Sequence, residues 1–439
     1  MKVSKWKVLS IAGALVLSYV VASDAAQIKV DEDTFADFGF WTKVMYRNID
    51  ERNNVIDYNR NVIDVIDARF TIEGQINKVV QFYGEAVSTS AYDVSDGSAT
   101  RDTDFKLAEG GVNLIAAPEL QLRIGKIRIP FTRMQLADEY ARINPIEPLN
   151  DPQDIVTGIL GHTGIVYEPY TDSILDDASI AGADIYAPNL LRFADGGAVL
   201  HGDIAEGMLR YNIGVFNQGT DDQPFNSICW AARVEFTPTM AGFSPETTST
   251  PKGWLKDTYL GKKGDILTIG VGYFSQDVDP DLSGNTYKEL DVDGYTVDVF
   301  LEKKFQPAIL NVEAAYINLN ESHLEPSLIG GTFTTNSTSS KGDTYFWYAQ
   351  GQLLYDGVIG IGKPAIFAKY EYGELDATGG DLEWSAWGAG INYYIEGNAA
   401  RLSAGFTNVS YDELAENYLD TNNMEDNITD WYIQAQIMF

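Results

Sequence analysis

From Phe35 to the last residue, apolar and polar positions alternate in segments of about ten residues, each bounded by turn-forming residues. A two-residue period sends successive side chains to opposite faces of a strand. In "FADFGFWTKVMYR", Ala36, Phe38, Phe40, Val44 and Tyr46 share one face, opposite Asp37, Gly39, Trp41, Lys43 and Arg47. In "DARFTIEGQI", Ala68, Phe70, Ile72, Gly74 and Ile76 oppose Asp67, Arg69, Thr71, Glu73 and Gln75. The pattern predicts strands at 35–47, 63–76, 79–91, 104–115, 120–129, 195–204, 208–216 and 228–238. Eight more are predicted at 264–275, 292–305, 309–319, 343–354, 365–373, 384–395, 400–409 and 429–439, an even total of sixteen.

The stretch "LRIGKIRIPF" (122–131) shows what the faces are for. Its alternation slips at Gly125-Lys126, where a bulge at the glycine would put Ile127 and Ile129 with Leu122 and Ile124, and Arg123 with Arg128. The links decide what the aliphatic face meets. Links at 77–78, 116–119, 205–207, 306–308, 355–364 and 396–399 are short. Those at 48–62, 92–103, 130–194, 217–227, 276–291, 320–342, 374–383 and 410–427 are long. Short turns at one end and long loops at the other mark an all-β, transmembrane antiparallel β-barrel, with short periplasmic turns and long extracellular loops. Closure satisfies every backbone hydrogen bond, which a membrane requires. The aliphatic face then meets lipid or a neighbouring subunit. Residues 239–263 break the rule, a long link where a short turn belongs, and the pattern gives no account of them.

The chain ends in "DWYIQAQIMF", with Trp431, Ile433, Ala435, Ile437 and Phe439 on one face. A terminal aromatic on the apolar face of a last strand is similar to the signal read by the barrel assembly machinery. At the other end, Lys2, Lys5 and Lys7 precede the apolar run Val8–Ala22, followed by Ser23 and Ala25 at signal-peptidase spacing. Residues 1–25 therefore read as a secretory signal peptide, and 26–439 as the barrel domain. No later stretch approaches the roughly 18 continuous apolar residues of a spanning helix. The single cysteine, Cys229, excludes an intrachain disulfide framework and reads as a small apolar wall residue.

Charge changes the picture of partners. With 31 basic and 63 acidic side chains the net charge is −32, and loss of residues 1–25 makes the chain more acidic still, so nucleic acid is excluded as a partner. Most of the excess acid lies in the long loops, at the outer mouth. Parity directs Lys43, Arg47, Arg69, Arg123, Arg128, Arg210, Arg233, Lys369 and Arg401 into the lumen. Asp37, Asp67, Glu73, Glu85, Glu235, Asp298, Glu313 and Glu371 share that face. Two readings stand: the basic residues line a pore and guide anionic solutes, or they pair across strands and keep the wall polar.

Other chemistry is poorly represented. "DVDPDLSGNTYKE" (277–289) lacks the glycine and the final glutamate of a calcium loop, having Leu282 and Lys288 there. The acidic mouth therefore suits weak cation binding or bridging to lipopolysaccharide and other outer-membrane lipid, with no dedicated metal site. "GVIGIGKP" (357–364) has Pro364 in place of the metal-binding Ser or Thr of a phosphate loop, and it lies between strands. The three histidines, His162, His201 and His323, form no metal-spaced cluster, and no serine sits in a nucleophile elbow. No cofactor and no enzymatic activity are expected.

Three motifs, in order, resemble the phosphate-selective porin O and P family. "ELQLRIGKIRIPF" (119–131) is similar to its strand ending Arg-x-Gly-x-x-basic-x-Pro-Phe. "GGAVLHGDIAEGMLRYNIGVFNQG" (196–219) is similar to its strand-turn-strand unit, and "WGAGINYYIEGNAARLSAGFTNV" (387–409) to its penultimate hairpin. The resemblance implies a homotrimeric outer-membrane channel for passive diffusion of small hydrophilic solutes. In that family an arginine ladder and a lysine ring at the constriction select phosphate. Here the largest loop, 130–194, holds ten acids against Arg133, Arg142 and Arg192 and no lysine, so the lysine ring has no counterpart in it. The expectation is a passive outer-membrane porin whose loop 130–194 narrows the lumen. The alternative is a plugged structural or adhesive barrel with acidic, cation-binding loops.

Overall fold

Alternation over so many consecutive segments, with no helix-period stretch between them, leaves the strands only one another to pair with. The computed structural model describes residues 26–52, 57–88, 91–93, 100–102, 105–145, 194–217, 228–246, 251–278, 290–321, 342–375, 382–411 and 427–439. The strands are β1 (Ala26–Lys29), β2 (Phe35–Arg52), β3 (Asp57–Asn77), β4 (Val80–Ser88), β5 (Ala91–Asp93), β6 (Thr100–Asp102), β7 (Phe105–Ala117), β8 (Leu120–Arg128), β9 (Ala194–Ile204) and β10 (Leu209–Asn217). They continue with β11 (Ile228–Phe236), β12 (Ile266–Val278), β13 (Leu290–Phe305), β14 (Ala308–Glu321), β15 (Gly342–Tyr355), β16 (Lys363–Leu375), β17 (Leu382–Glu396), β18 (Ala400–Tyr411) and β19 (Asn427–Met438). Sixteen of these form a closed antiparallel barrel in chain order, β2, β3, β4, then β7 to β19. Each predicted segment coincides with one wall strand. The seam is β19 on β2, running from Asn427↔Arg52 to Met438↔Trp41. The final residue extends it: Phe40 N–H donates to the Phe439 carbonyl at 2.6 Å and Phe439 N–H to the Phe40 carbonyl at 2.9 Å.

Two small elements lie outside the sixteen. β1 pairs with the stretch of β2 that projects past the C-terminus, Ala26↔Phe38 to Lys29↔Phe35. β5 and β6 form a two-stranded ribbon within the link between β4 and β7.

The wall is inverted relative to a soluble sheet. On β11, Ile228, Trp230 and Val234 are more than half exposed, while Cys229, Arg233 and Glu235 between them are buried. Lipid facing the barrel explains this, because hydrocarbon solvates the aliphatic face while charge and amide collect inside. Near the long-loop end the outer face carries a row of tyrosines, Tyr295, Tyr316, Tyr345 and Tyr372, with successive ring centroids 6.2, 6.2 and 6.3 Å apart. Such a girdle suits a membrane–water boundary, where a ring has both an apolar body and a wet hydroxyl.

The expected bulge at Gly125 needs correcting. The β8 register runs through Gly125 and Lys126 without a slip on either side. Gly125 instead takes φ +149°, and the slip lies one strand away, in β7 between Leu107 and Glu109 opposite β4. Ile127 and Ile129 are consequently fully buried, not lipid-facing; only Leu122 and Ile124 of that stretch lie on the exterior. Lys126, Ile127 and Arg128 still pair with β9, and the chain leaves the wall after Arg128.

Candidate functional site: the lumen and its two inserts

Each basic residue assigned inward by parity is at least largely buried, and most meet an acid. Arg47 pairs with Asp430 across the seam at 2.6 Å. Arg69 pairs with Glu85 and, at 3.1 Å, with Glu139. Arg128 reaches Glu109 at 2.9 Å and Asp138 at 3.2 Å. Arg210 meets Asp203 at 2.9 Å, and Lys369 meets Glu371 at 2.5 Å. Arg233 grips both oxygens of Asp298, at 2.6 and 2.7 Å, and donates to Glu235 at 2.8 Å. Lys43 lies 5.1 Å from the Trp41 ring. Arg123 and Arg401 differ, since among the described residues neither has a carboxylate within salt-bridge range. Arg123 donates to Asn212 at 2.9 Å and lies 4.0 Å from the Trp254 ring. Arg401 donates to the Arg142 carbonyl at 2.6 Å and to Gln436 at 3.1 Å. The Asp67 side chain lies outside the described residues.

The wall charges face protein. After Arg128 the chain turns at Phe131 and enters the barrel. Thr132 starts a single helical turn, α1 (Arg133–Leu136), through a reciprocal capping box with Gln135. A 3-10 turn, Glu139–Ala141, follows. This first insert, 129–145, is held by wall residues all around the lumen. The Phe131 carbonyl accepts from Arg233 at 2.9 Å, and Arg133 N–H donates to Asp298 at 3.1 Å. Met134 packs on Ala315 and Tyr348, and Tyr140 lies 6.0 Å from Trp41. Asn392 donates to the Ile143 carbonyl at 2.8 Å, and Tyr432 to Asn144 at 3.2 Å. A segment touching strands on opposite sides crosses the bore. The rest of loop 130–194, residues 146–193, lies outside the described residues.

The second insert is the anomalous link 239–263, which the sequence pattern left unexplained. It leaves from the short-turn end, between β11 and β12, and folds back inside. Lys252 reaches Glu85 at 2.9 Å, and Trp254 stacks on Arg123 with its ring centroid 5.7 Å from that of Tyr83. Lys256 pairs with Glu235 at 2.5 Å. Leu260 and Gly261 N–H groups donate to Glu302 at 3.0 and 2.6 Å. The two inserts also bind each other. Lys256 N–H donates to the Leu136 carbonyl at 2.8 Å, and Asp138 N–H to the Lys256 carbonyl at 3.0 Å. Arg133 binds Glu246 at 2.7 Å and the Asp257 carbonyl at 2.9 Å.

Burial and neighbouring charge compete on the insert residues. Burial pushes the Glu139 carboxyl up, but Arg69, Arg128 and Arg142 outweigh it and hold that group well below the usual carboxylate range. Burial likewise opposes ionisation of Glu246, and Arg133 and Lys256 override it. Asp257 has no such rescue. Burial, reinforced by Asp138 and Glu302, lifts its carboxyl to about 8. The arrangement is a polar lumen clamped by charge pairs. Among the described residues no group of His, Cys, Asp and Glu could hold a metal ion. His201 bonds Asn113 at 2.9 Å inside the wall, and 355–364 forms a turn between β15 and β16.

Sequence reasoning missed Arg133, Glu246, Lys252, Trp254 and Lys256. The available signal was the insertion itself, 25 residues where other turns need a few, carrying a tryptophan and lysines among polar loop residues.

No protein-family model and no curated protein matches the chain. Solved structures do. An anion-selective porin from Comamonas acidovorans aligns at TM-score 0.55 and 10% identity, over 92% of this chain and 100% of that one. Outer-membrane expressed OmpT of Vibrio cholerae aligns at TM-score 0.50 and 12% identity, over 94% and 100%. Its in-vitro folded trimer form aligns at 0.50 and 12%, over 93% and 100%. At these identities the likeness is one of fold, a complete barrel of the outer-membrane type.

Proposed function

We propose that the chain is exported by its first 25 residues, assembled in the outer membrane with Phe439 as the assembly signal, and acts there as a passive channel for small hydrophilic solutes and ions. The observation that carries this reading is the inverted wall: exposed aliphatic residues outside a sealed barrel, charged ones inside. Solute size is set where the two inserts meet. Anions, phosphate among them, are the favoured solutes, because among the described residues neither Arg123 nor Arg401 is salt-bridged to a carboxylate. A homotrimer is the proposed assembly, as in the trimer form of the Vibrio protein.

Planar-bilayer recording tests this. Steady conductance is expected, rising when the centre of loop 130–194 is deleted, with a reversal potential in a potassium chloride gradient that reports anion preference and is blocked by phosphate. A cation preference would refute the solute assignment. A second reading is a plugged structural barrel, favoured by one observation: Arg69, Arg128 and Arg233 are sealed from water by the inserts. A wild-type protein that is silent, and conducts only when the inserts are removed, would establish the plug.

A further inference from the structure

The short-turn end of the barrel is electrically lopsided. On one side its rim carries Asp31, Glu32, Asp33, Glu119, Glu206 and Glu396 against Lys29 and Lys78. Between the start of β12 and the start of β16 the sign reverses, and Lys262, Lys303, Lys304 and Lys363 face Asp265 and Asp356. Lys303 pairs with Asp265 at 2.8 Å, while Lys304 and Lys363 converge on Asp356 at 2.6 and 2.7 Å. Two ammonium groups on one carboxylate leave a positive charge over. Their side chains are 41% and 38% exposed, so that charge is open to a partner.

Asp356 and Lys363 bracket the turn between β15 and β16, and that turn is apolar at its tip. Ile361 N–H donates to the Tyr393 hydroxyl at 3.0 Å, and the hydroxyl donates to the Ile359 carbonyl. Tyr393 stands on the outer face of β17, between Asn392 and Tyr394, which are buried inside. These bonds therefore hold the turn against the lipid-facing side of the wall. There Val358, Ile359 and Ile361 are all more than half exposed, and Phe305 and Tyr355, paired to Ala308 from either side, are exposed as well. Aliphatic groups settle in the acyl boundary of a leaflet, and ammonium groups beside them meet anionic headgroups.

We propose that this rim sector seats an anionic phospholipid of the periplasmic leaflet, its phosphate at Lys304 and Lys363 and its acyl chains along Val358, Ile359 and Ile361. The inference rests on the outer-membrane reading, which already surrounds the wall with lipid, and adds a choice among lipids. A zwitterionic lipid makes the same apolar contacts, so the surplus charge makes the choice. The acidic side of the rim offers an anionic headgroup no such seat.

Fluorescence quenching on the folded protein in phosphatidylcholine vesicles tests this. In a Cys229→Ala background, Val358→Cys carries a bimane label, and the vesicles contain a fixed share of brominated phosphatidylglycerol or brominated phosphatidylcholine. The phosphatidylglycerol should quench more strongly, and Lys304→Gln with Lys363→Gln should lower that preference roughly fivefold for each lysine removed. The same label at Ala116→Cys, exposed at the acidic side of the rim, should show no preference. Should the double variant fail to fold, salt decides on the labelled protein alone. Raising it from about 0.1 to 1 M shortens the screening length from about 10 to 3 Å and should erase the preference. Equal quenching by the two lipids at residue 358, an equal preference at residue 116, or a preference indifferent to salt and to both lysines overturns the proposal. Loss of the preference on adding equimolar inorganic phosphate would assign the lysines to a free anion and overturns it too. Quenching by neither lipid at either position overturns the outer-membrane reading itself.

Discussion

Replacing Arg133 with methionine should uncouple the inserts without opening the barrel. The guanidinium ties the first insert to two other bodies: the second insert, through Glu246 at 2.7 Å and the Asp257 carbonyl at 2.9 Å, and β14, through Glu313 at 3.2 Å, while lying 3.6 Å from the Phe300 ring. Its side chain is 2% exposed, so solvent screens these contacts little. Removing one partner of a buried pair costs about 3–5 kcal/mol, because the other charge stays buried. Glu246 keeps Lys256 at 3.7 Å, which argues for the lower end, about 3 kcal/mol. At 1.4 kcal/mol per decade that is roughly a hundredfold in the docking equilibrium. Native-state hydrogen exchange in detergent reads it directly. The Lys256 and Asp138 amides, which bridge the inserts, should exchange roughly a hundredfold faster, while β13 amides stay protected. Lysine should rescue poorly, since one ammonium cannot serve the divergent acceptors of a planar fork. Unchanged insert amides, or wall amides accelerated equally, would refute the reasoning.

Docking of the second insert should depend on pH through Asp257. Its carboxyl, lifted to about 8, holds a proton that the free group loses near pH 4, so docking is strongest below that range and weakens as pH rises toward 8. Asp257→Asn, which keeps the oxygen that accepts from Asn398, should flatten the Lys256 protection factor between pH 5 and 8 after correction for intrinsic rates. At Gly125, φ +149° and close approach to the Gly110 and Gly111 backbone leave no room for a methyl group, so Gly125→Ala should reduce the heat-modifiable, folded fraction on gels by a cost of about 1–3 kcal/mol or more. Selectivity should follow the uncancelled charges. Arg401→Gln should lower anion preference by reversal potential, whereas Arg47→Gln with Asp430→Asn, which removes a 2.6 Å pair together, should leave it nearly unchanged.

The wall was legible because lipid and lumen differ so sharply that each residue's face shows in its polarity. On β19, Trp431 and Ile433 are exposed while Tyr432, Gln434 and Gln436 between them are buried, as their alternation requires. Parity stops at the face. It does not say which acid meets which base, since Lys252 and Glu85 are 167 positions apart and Arg133 and Glu246 are 113 apart. Asp138 and Glu139 illustrate the loss. Counted along the chain they belong to an acidic outer loop, yet both lie in the barrel, neutralising Arg69 and Arg128. Ile127 and Ile129 failed for the opposite reason: their polarity suits lipid, yet both are buried, Ile127 while still paired to Asp195 of β9 and Ile129 just past the end of β8.

The charge inside this barrel therefore has two separate duties. Six of the nine basic residues that parity assigned inward, Arg47, Arg69, Arg128, Arg210, Arg233 and Lys369, form salt bridges with acids. Buried pairs of this kind add little net stability over apolar packing, but losing one partner is expensive, so they specify one arrangement. A polar lumen offers the inserts little hydrophobic surface on which to settle. Charge pairs supply the address that apolar packing supplies in a soluble core, fixing where each insert crosses and where the two meet. In the channel proposed above, solute preference is expected to follow Arg123 and Arg401, whose substitution leaves those six pairs intact.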